Sequence, residues 1–137
     1  LNRHPVGRLG CYSEGKVYIV PIAFAYDGEY IYGHSREGLK IQMMRKNPKV
    51  CFEVDSVENL ANWQCIVLQG EFQELIGKPA REAMDFFMKR FRAHHLGETT
   101  IPSNGIGQFH EKEQSSTKSV IFRIRINEKS GRFERQY

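Results

Sequence analysis

The chain has 137 residues, of which 40% are hydrophobic and 12% are aromatic, and its formal net charge is +4. This length suits one domain that buries a core without metal or disulfide staples, and the composition excludes a disordered chain. We therefore predict a single domain over residues 1–137. Apolar runs are too short to span a membrane, and we predict no membrane partner. The mild basic excess is compatible with an anionic ligand or weak nucleic-acid contact, but such an excess is usually only a solvated face, and we predict no nucleic-acid partner.

Three cysteines, Cys11, Cys51 and Cys65, are widely spaced, and the sequence contains no Cys-x-x-Cys pair. They lie in apolar, strand-like segments, which predicts reduced, buried thiols and no metal site. Thiols of this kind are typical of a cytoplasmic protein, and we expect that localisation.

Hydropathy in the first half of the chain predicts three strands and a short helix. A strand over 7–12 precedes a long strand over 16–26, whose two apolar faces should both be covered. Pro21 cannot donate to a ladder, so it predicts a sheet edge, a bulge or a place where another group meets the backbone. The Asp27-Gly28 turn predicts a hairpin into a strand over 29–34, and a helix over 36–46 follows.

The second half predicts a strand over 49–55 with Val50, Phe52 and Val54 on one apolar face. A loop over 56–62 and a long strand over 63–75 follow, and the strand should be bent or bulged at Gly70. A helix starts near Pro79, and its apolar stripe predicts a packing face. Phe86 lies off that stripe and indicates a second surface, such as a subunit contact. A long loop over 96–117 precedes a strand over 119–127, a turn at 129–131 and a final strand over 132–135. Tight hairpins and few helices favour a small, mostly antiparallel barrel.

The most informative stretch joins the strand that ends at His34 to the helix over 36–46. Ser35 is a good N-cap residue, but Gly38 stands where a capping box has Glu or Gln. Arg36 and Lys40 add positive charge at the positive end of the helix dipole. An anion bound by the helix N–H groups, the hydroxyl and the two cations explains this pattern. An exposed helix start with solvated basic residues explains it equally well, and both readings stay open.

Other chemistry in the sequence is sparse. Neither a P-loop nor a dinucleotide-binding motif occurs, and no Ser-His-Asp or paired-carboxylate arrangement can be argued from spacing. If the chain is an enzyme, a cofactor is expected to supply the reactivity. His34 is a candidate ligand contact or catalytic side chain, and the alternative is a partly buried polar tip. Trp63 and Gln64 are candidates for contact with a planar ligand, and the alternative for Trp63 is a core or interface anchor.

An ordered series of segments carries a family resemblance. The segments are Gly7-Arg-Leu-Gly10, Val20-Pro-Ile-Ala-Phe24, Tyr26-Asp-Gly28, Ile31-Tyr-Gly-His-Ser35, Gly38-Leu-Lys40, Asn47-Pro-Lys-Val-Cys-Phe52 and Trp63 followed by Gly70. The chain resembles the pyridoxamine 5′-phosphate oxidase-like, flavin-binding split-barrel family, and within it the nitroimidazole-resistance-type branch. The resemblance implies a mostly β fold with two helices, a six-stranded antiparallel split barrel, and a homodimer with FMN at the subunit interface.

The resemblance also implies roles for particular positions. Ser35 and Lys40 would bind the FMN phosphate, with Arg36 as a further phosphate contact. His34 would lie near the flavin. The remaining expected cofactor contacts lie along the isoalloxazine ring or flank it from a later strand, and they are Pro21, Ile22, Ala23, Trp63 and Gln64.

The implied function is an FMN-dependent oxidoreductase that takes electrons from NAD(P)H or another donor and reduces a small, for example nitroaromatic, acceptor. His34 would orient the substrate or relay a proton. Alternatives are a non-catalytic flavin carrier or sensor, a split-barrel protein that binds haem, a deazaflavin or FAD, and a small basic barrel that binds nucleic acid. The basic and aromatic pattern with which pyridoxamine 5′-phosphate oxidase binds its pyridoxal substrate is not found, which argues against vitamin B6 oxidation.

Overall fold

The computed structural model describes residues 6–95 and 119–136. The predicted loop over 96–117 lies outside these residues. Within them, strands and two helices follow in this order: β1 (Val6–Ser13), β2 (Lys16–Ala23), β3 (Ala25–Tyr26), β4 (Tyr30–Arg36), α1 (Leu39–Lys46), β5 (Lys49–Asn59), β6 (Asn62–Leu75), α2 (Lys78–His95) and β7 (Ser119–Glu134). Neither helix of the described ranges is long and apolar enough to cross a membrane.

The strands form one antiparallel sheet in the order β2-β1-β5-β6-β7-β4-β3. Its two outer strands follow each other in the chain with only Phe24 between them. The sheet therefore curves until β2 lies against β4. The predicted fold class, a mostly antiparallel β protein with two helices, is confirmed.

Alternating residues of the strands build the core on the inner face of this sheet. The predicted inward row of β5 is confirmed, because Val50, Phe52 and Val54 are 5%, 1% and 4% exposed. Helix α1 covers part of the core through Ile41 and Met44, which are fully buried. The other strand residues that are at most 1% exposed are Leu9, Ile31, Leu68, Phe122 and Ile124.

Glycine lets two strands approach buried phenylalanine rings. A Cβ atom on Gly33 would lie 2.5 Å from Cζ of Phe122, the residue directly opposite it in the β4–β7 ladder. Phe122 is completely buried and packs against Phe72 with ring centroids 5.4 Å apart. A Cβ atom on Gly7 would likewise collide with the buried ring of Phe52. Neither position accepts a side chain unless a buried ring moves.

Gly70 marks the predicted irregularity in β6. The register with β7 shifts between Gln69 and Gly70, which defines a bulge. A Cβ atom at Gly70 would also collide with the carbonyl oxygen of Arg125. The prediction of a bend or bulge at this glycine is confirmed.

The long strand predicted over 16–26 is broken at Phe24. The chain changes partner there, from β1 to β4, and the Phe24 ring packs edge-on against Phe52 with centroids 4.9 Å apart. The prediction that both faces are covered is wrong for a single chain, because Val17 and Ile19 on β2 are 76% and 67% exposed. The edge predicted at Pro21 is confirmed, since β2 is an outer strand.

Two predicted interruptions are replaced by continuous strands. β7 runs through 129–131, where a turn was predicted, because these residues pair with 66–68 of β6. The loop predicted over 56–62 reduces to a turn at Leu60-Ala61, because β5 and β6 pair up to Asn59 and Asn62. Cys51 and Cys65 were predicted to be buried, but their outward-facing positions on these strands leave them half-buried.

Helix α2 packs over β3, β4 and β7. The predicted packing face is confirmed by Ala83 and Phe87, which are 5% and 9% exposed. Phe86, off that face, contacts the ring of Tyr32 edge-on with centroids 5.4 Å apart. Its position is therefore explained by a contact within the chain, and no subunit contact is needed to account for it.

Candidate functional site

The junction between β4 and α1 differs from its sequence prediction. Ser35 and Arg36 pair with Val120 and Ser119 of β7, so they continue the ladder and do not begin a helix. α1 begins at Leu39 with Gly38 as N-cap, and no side chain in the described part of the molecule caps it. The prediction that Ser35 is the N-cap is therefore wrong. Its buried hydroxyl donates to the carbonyl oxygen of Arg36 at 2.9 Å.

The start of α1 presents backbone donors. The N–H of Gln42 donates to the carbonyl oxygen of Gly38 at 3.1 Å and closes the first turn. The N–H groups of Leu39, Lys40 and Ile41 precede this bond and have no acceptor within the helix. The first turn contains no acidic residue. These donors and the positive end of the helix dipole suit an anion.

Lys40 is a half-buried cation, and no carboxylate in residues 6–95 or 119–136 pairs with it. Burial lowers the pKa of its ammonium group, and the neighbouring Cys11 thiol opposes this shift. Burial likewise raises the pKa of Cys11, and Lys40 opposes that change. A partly desolvated ammonium group without a counter-ion gains free energy from an anionic ligand. The residues at this junction thus fit a phosphate group.

Glu37 is the carboxylate in the link between β4 and α1, and it is turned toward Arg45. Arg45 Nη1 lies 2.5 Å from Oε2 of Glu37. The same guanidinium donates from Nε and Nη2 to the two carboxylate oxygens of Glu74 at 2.8 and 2.9 Å. Glu74 and then Glu37 raise the pKa of Arg45. The carboxylate of Glu37 is therefore held in an ion pair with Arg45, which it shares with Glu74.

His34 lies next to Ser35 at the end of β4. Its Nε2 and the Oγ of Ser119 at the start of β7 are 2.5 Å apart and share a hydrogen bond, whose donor depends on the tautomer. The imidazole is half-buried. This hydrogen bond across the β4–β7 ladder fixes the ring on the outer face of β4, whereas the side chain of the next residue, Ser35, points to the buried face.

The segment from Pro21 to Ala23 ends β2. Pro21 is exposed, and Ile22 and Ala23 are half-buried. Ala25 of β3 pairs with Tyr32, two residues from His34, so the chain that leaves Ala23 joins β4 close to the histidine. The structure thus brings this segment and the β4–α1 junction to one region.

Trp63 and Gln64 lie elsewhere in the chain. Trp63 pairs with Glu134 and donates from Nε1 to its carboxylate at 3.1 Å, whereas His34 pairs with Ile121. Residues 121 and 134 are thirteen positions apart on β7, which is roughly 40 Å of strand at about 3.3 Å per residue. One chain therefore does not bring Trp63 and Gln64 to His34.

Two adjoining cavities of about 210 and 400 Å³ open beside Gln64. Trp63 and Arg135 line the smaller one, and Arg132 and Phe133 line the larger one. These C-terminal residues were not predicted to lie beside Gln64, because a strand was predicted to end at residue 127. Reading 119–134 as one strand would have placed them beside Gln64.

An acidic pair on the outer face of β5 was also overlooked. Glu53 and Asp55 stand two residues apart on this strand, and Arg8 of β1 pairs with Glu53. Burial, followed by the hydrogen bond and the charge of Asp55, raises the pKa of Glu53 to about 7, and Arg8 opposes the shift. The pair therefore holds a proton up to near-neutral pH.

Comparison with known proteins identifies the family and the fold of this chain. A family model described as pyridoxamine 5′-phosphate oxidase matches residues 1–133. The chain belongs to the pyridoxamine 5′-phosphate oxidase family, which confirms the family predicted from the sequence. An uncharacterized protein of Rhizobium meliloti is 30% identical over 130 residues, which cover 93% of this chain and 83% of that protein.

Two solved structures share the fold. A FAD-binding protein from Mesorhizobium loti is 29% identical, with a TM-score of 0.74, over 97% of this chain and 87% of that chain. A candidate 5-nitroimidazole antibiotic resistance protein from Bacteroides thetaiotaomicron is 20% identical, with a TM-score of 0.67, over 95% of this chain and 77% of that chain. The second likeness shows the fold alone.

Proposed function

We propose that this protein is a flavoprotein that binds FMN and acts as an oxidoreductase. It would pass electrons from NAD(P)H or another donor to a small acceptor, and nitroaromatic compounds are the first acceptors to test. Membership of the family supports a flavin, as does similarity to a FAD-binding protein at 29% identity. The observation that carries the proposal is Lys40, a half-buried cation beside the uncapped start of α1.

The residues at the β4–α1 junction have distinct roles in this proposal. Lys40, the Ser35 hydroxyl and the N–H groups at the start of α1 would hold the phosphate. Pro21, Ile22 and Ala23 would lie along the flavin ring. A bound flavin would supply reversible one- and two-electron transfer. His34, held through Nε2 by Ser119, would orient the substrate or relay a proton.

The visible spectrum of the purified protein tests flavin binding directly. We expect a flavin spectrum as isolated, or its appearance after FMN or FAD is added, and titration with each ranks the two cofactors. A colourless protein that takes up neither would refute the proposal. Consumption of NAD(P)H in the presence of a nitroaromatic then distinguishes an oxidoreductase from a carrier, since a carrier retains FMN without turnover.

We also propose that the protein functions as a homodimer with the flavin between subunits. Trp63 and Gln64 are separated from His34 by roughly 40 Å of strand, so they can join the same site only from a second chain. The exposed apolar side chains of Val17 and Ile19 on β2 offer an apolar surface for self-association.

Mixing two defective variants tests the shared site. Lys40→Met and Trp63→Ala homodimers should each bind FMN weakly. A refolded mixture contains heterodimers with one intact and one doubly altered site. At equal amounts, half of the dimers are mixed, so about a quarter of all sites should regain wild-type affinity. If mixing restores no tight sites, Trp63 does not act across the interface.

A further inference from the structure

We infer that Arg45 is a positioning residue for the phosphate site, because it holds the carboxylate of Glu37 away from the start of α1. The inference rests on the proposed flavin site at that helix end. Neither Arg45 nor Glu37 contacts the phosphate in this proposal.

Arg45 reaches Glu37 from the opposite end of α1. It lies in the last turn of α1, whereas Glu37 immediately precedes the N-cap Gly38. Side chains on a helix tilt toward its N-terminus, so the long guanidinium extends back along α1 to Glu37 Oε2 at 2.5 Å. Its two bonds to Glu74 on β6, at 2.8 and 2.9 Å, fix the guanidinium plane to the sheet.

Glu37 would otherwise compete with a bound phosphate. A carboxylate is stabilised at a helix N-terminus, where free N–H groups and the positive end of the dipole meet. α1 has no side-chain cap in the described part of the chain, so an unclamped Glu37 could turn to the N–H groups of Leu39 to Ile41. It would then occupy the phosphate position and repel a dianion by its charge. Arg45 prevents both effects.

Affinities for FMN and riboflavin measure the effect, because the two ligands differ only by the phosphate. Wild type should prefer FMN. Arg45→Met should lower that preference about tenfold, in line with the effect of one charge at a helix end, while riboflavin binding stays constant. In the double variant Arg45→Met with Glu37→Gln, the preference should return to the wild-type value. Lys46→Met is the matched control, since Lys46 pairs only with exposed Glu14 at 3.0 Å among its described contacts.

The rescue separates positioning from structural support. Loss of Arg45 also leaves Glu74 without this guanidinium, and Glu37→Gln does not repair that, so a purely structural role predicts no rescue. If Arg45→Met unfolds, Arg45→Lys replaces it, since lysine keeps the charge without the forked geometry. Its preference for FMN over riboflavin should then fall by less than the tenfold expected for Arg45→Met. An unchanged FMN preference in folded Arg45→Met, or no rescue in the double variant, overturns the inference alone. A wild type that binds FMN and riboflavin equally overturns the phosphate assignment with it, and a wild type that binds neither overturns the proposed function as well.

Discussion

Replacing Lys40 by methionine should produce two effects of opposite sign. The substitution keeps the aliphatic stem but removes the ammonium group, which is half-buried and has no carboxylate partner in residues 6–95 and 119–136. One charge-assisted hydrogen bond to a phosphate contributes about 2 kcal/mol, so the affinity for FMN should fall roughly 30-fold. Binding should not vanish, because the N–H groups at the start of α1 remain.

The stability of the flavin-free protein should change the other way. Burial lowers the pKa of Lys40 from its ordinary value of 10.5, so the protonated form costs stability at neutral pH. That cost disappears as the pH rises through the lowered pKa. Lys40→Met should therefore melt at or above the wild-type temperature at pH 7, and its advantage should shrink toward about pH 10.

Calorimetry without flavin and fluorescence titration with FMN and riboflavin measure both effects. Lys46→Met serves as the control on the exposed side of α1, and it should alter neither quantity. The reasoning is refuted if Lys40→Met destabilises the flavin-free protein while its affinity for FMN stays at the wild-type value.

Gly33→Ala should lower the free energy of unfolding by about 1–3 kcal/mol, because the new methyl group meets the buried ring of Phe122. Urea denaturation measures this, and an unchanged midpoint would contradict it. Glu53→Gln should flatten the pH dependence of stability. Folding raises the pKa of Glu53 to about 7, so the native wild type binds more protons than the unfolded chain and loses stability as pH rises from about 5 to 7. Equal slopes for both proteins in urea melts across this range would contradict the assignment.

Local patterns were sufficient for much of the fold. The alternation of Val50, Phe52 and Val54 predicted an inward row, and Gly70 predicted the bulge in β6. The extent of β7 depended on a distant partner. Residues 129–131 have turn character, yet β6 supplies a ladder for all of them. Pairing between strands far apart in sequence thus overrode the local turn preference.

The arrangement around the candidate site differs from the sequence prediction. A cap preference favoured Ser35 as the helix start, but pairing with Val120 keeps it in β4. The contact of Glu37 with Arg45 spans eight positions, beyond the three- and four-residue spacings that sequence reasoning checks on a helix. The assignment of His34, Lys40 and the other proposed cofactor contacts stays a prediction.

Gly33 and Phe122 share one fixed volume across two strands. The ring occupies the space that a Cβ on Gly33 would need, so a larger residue at position 33 of β4 requires a smaller one at position 122 of β7. Random libraries at both positions, selected for folded protein, should return small–large pairs and reject large–large ones. His34 follows Gly33 directly. The sizes of residues 33 and 122 therefore also set how closely the β4 backbone before His34 packs against the core.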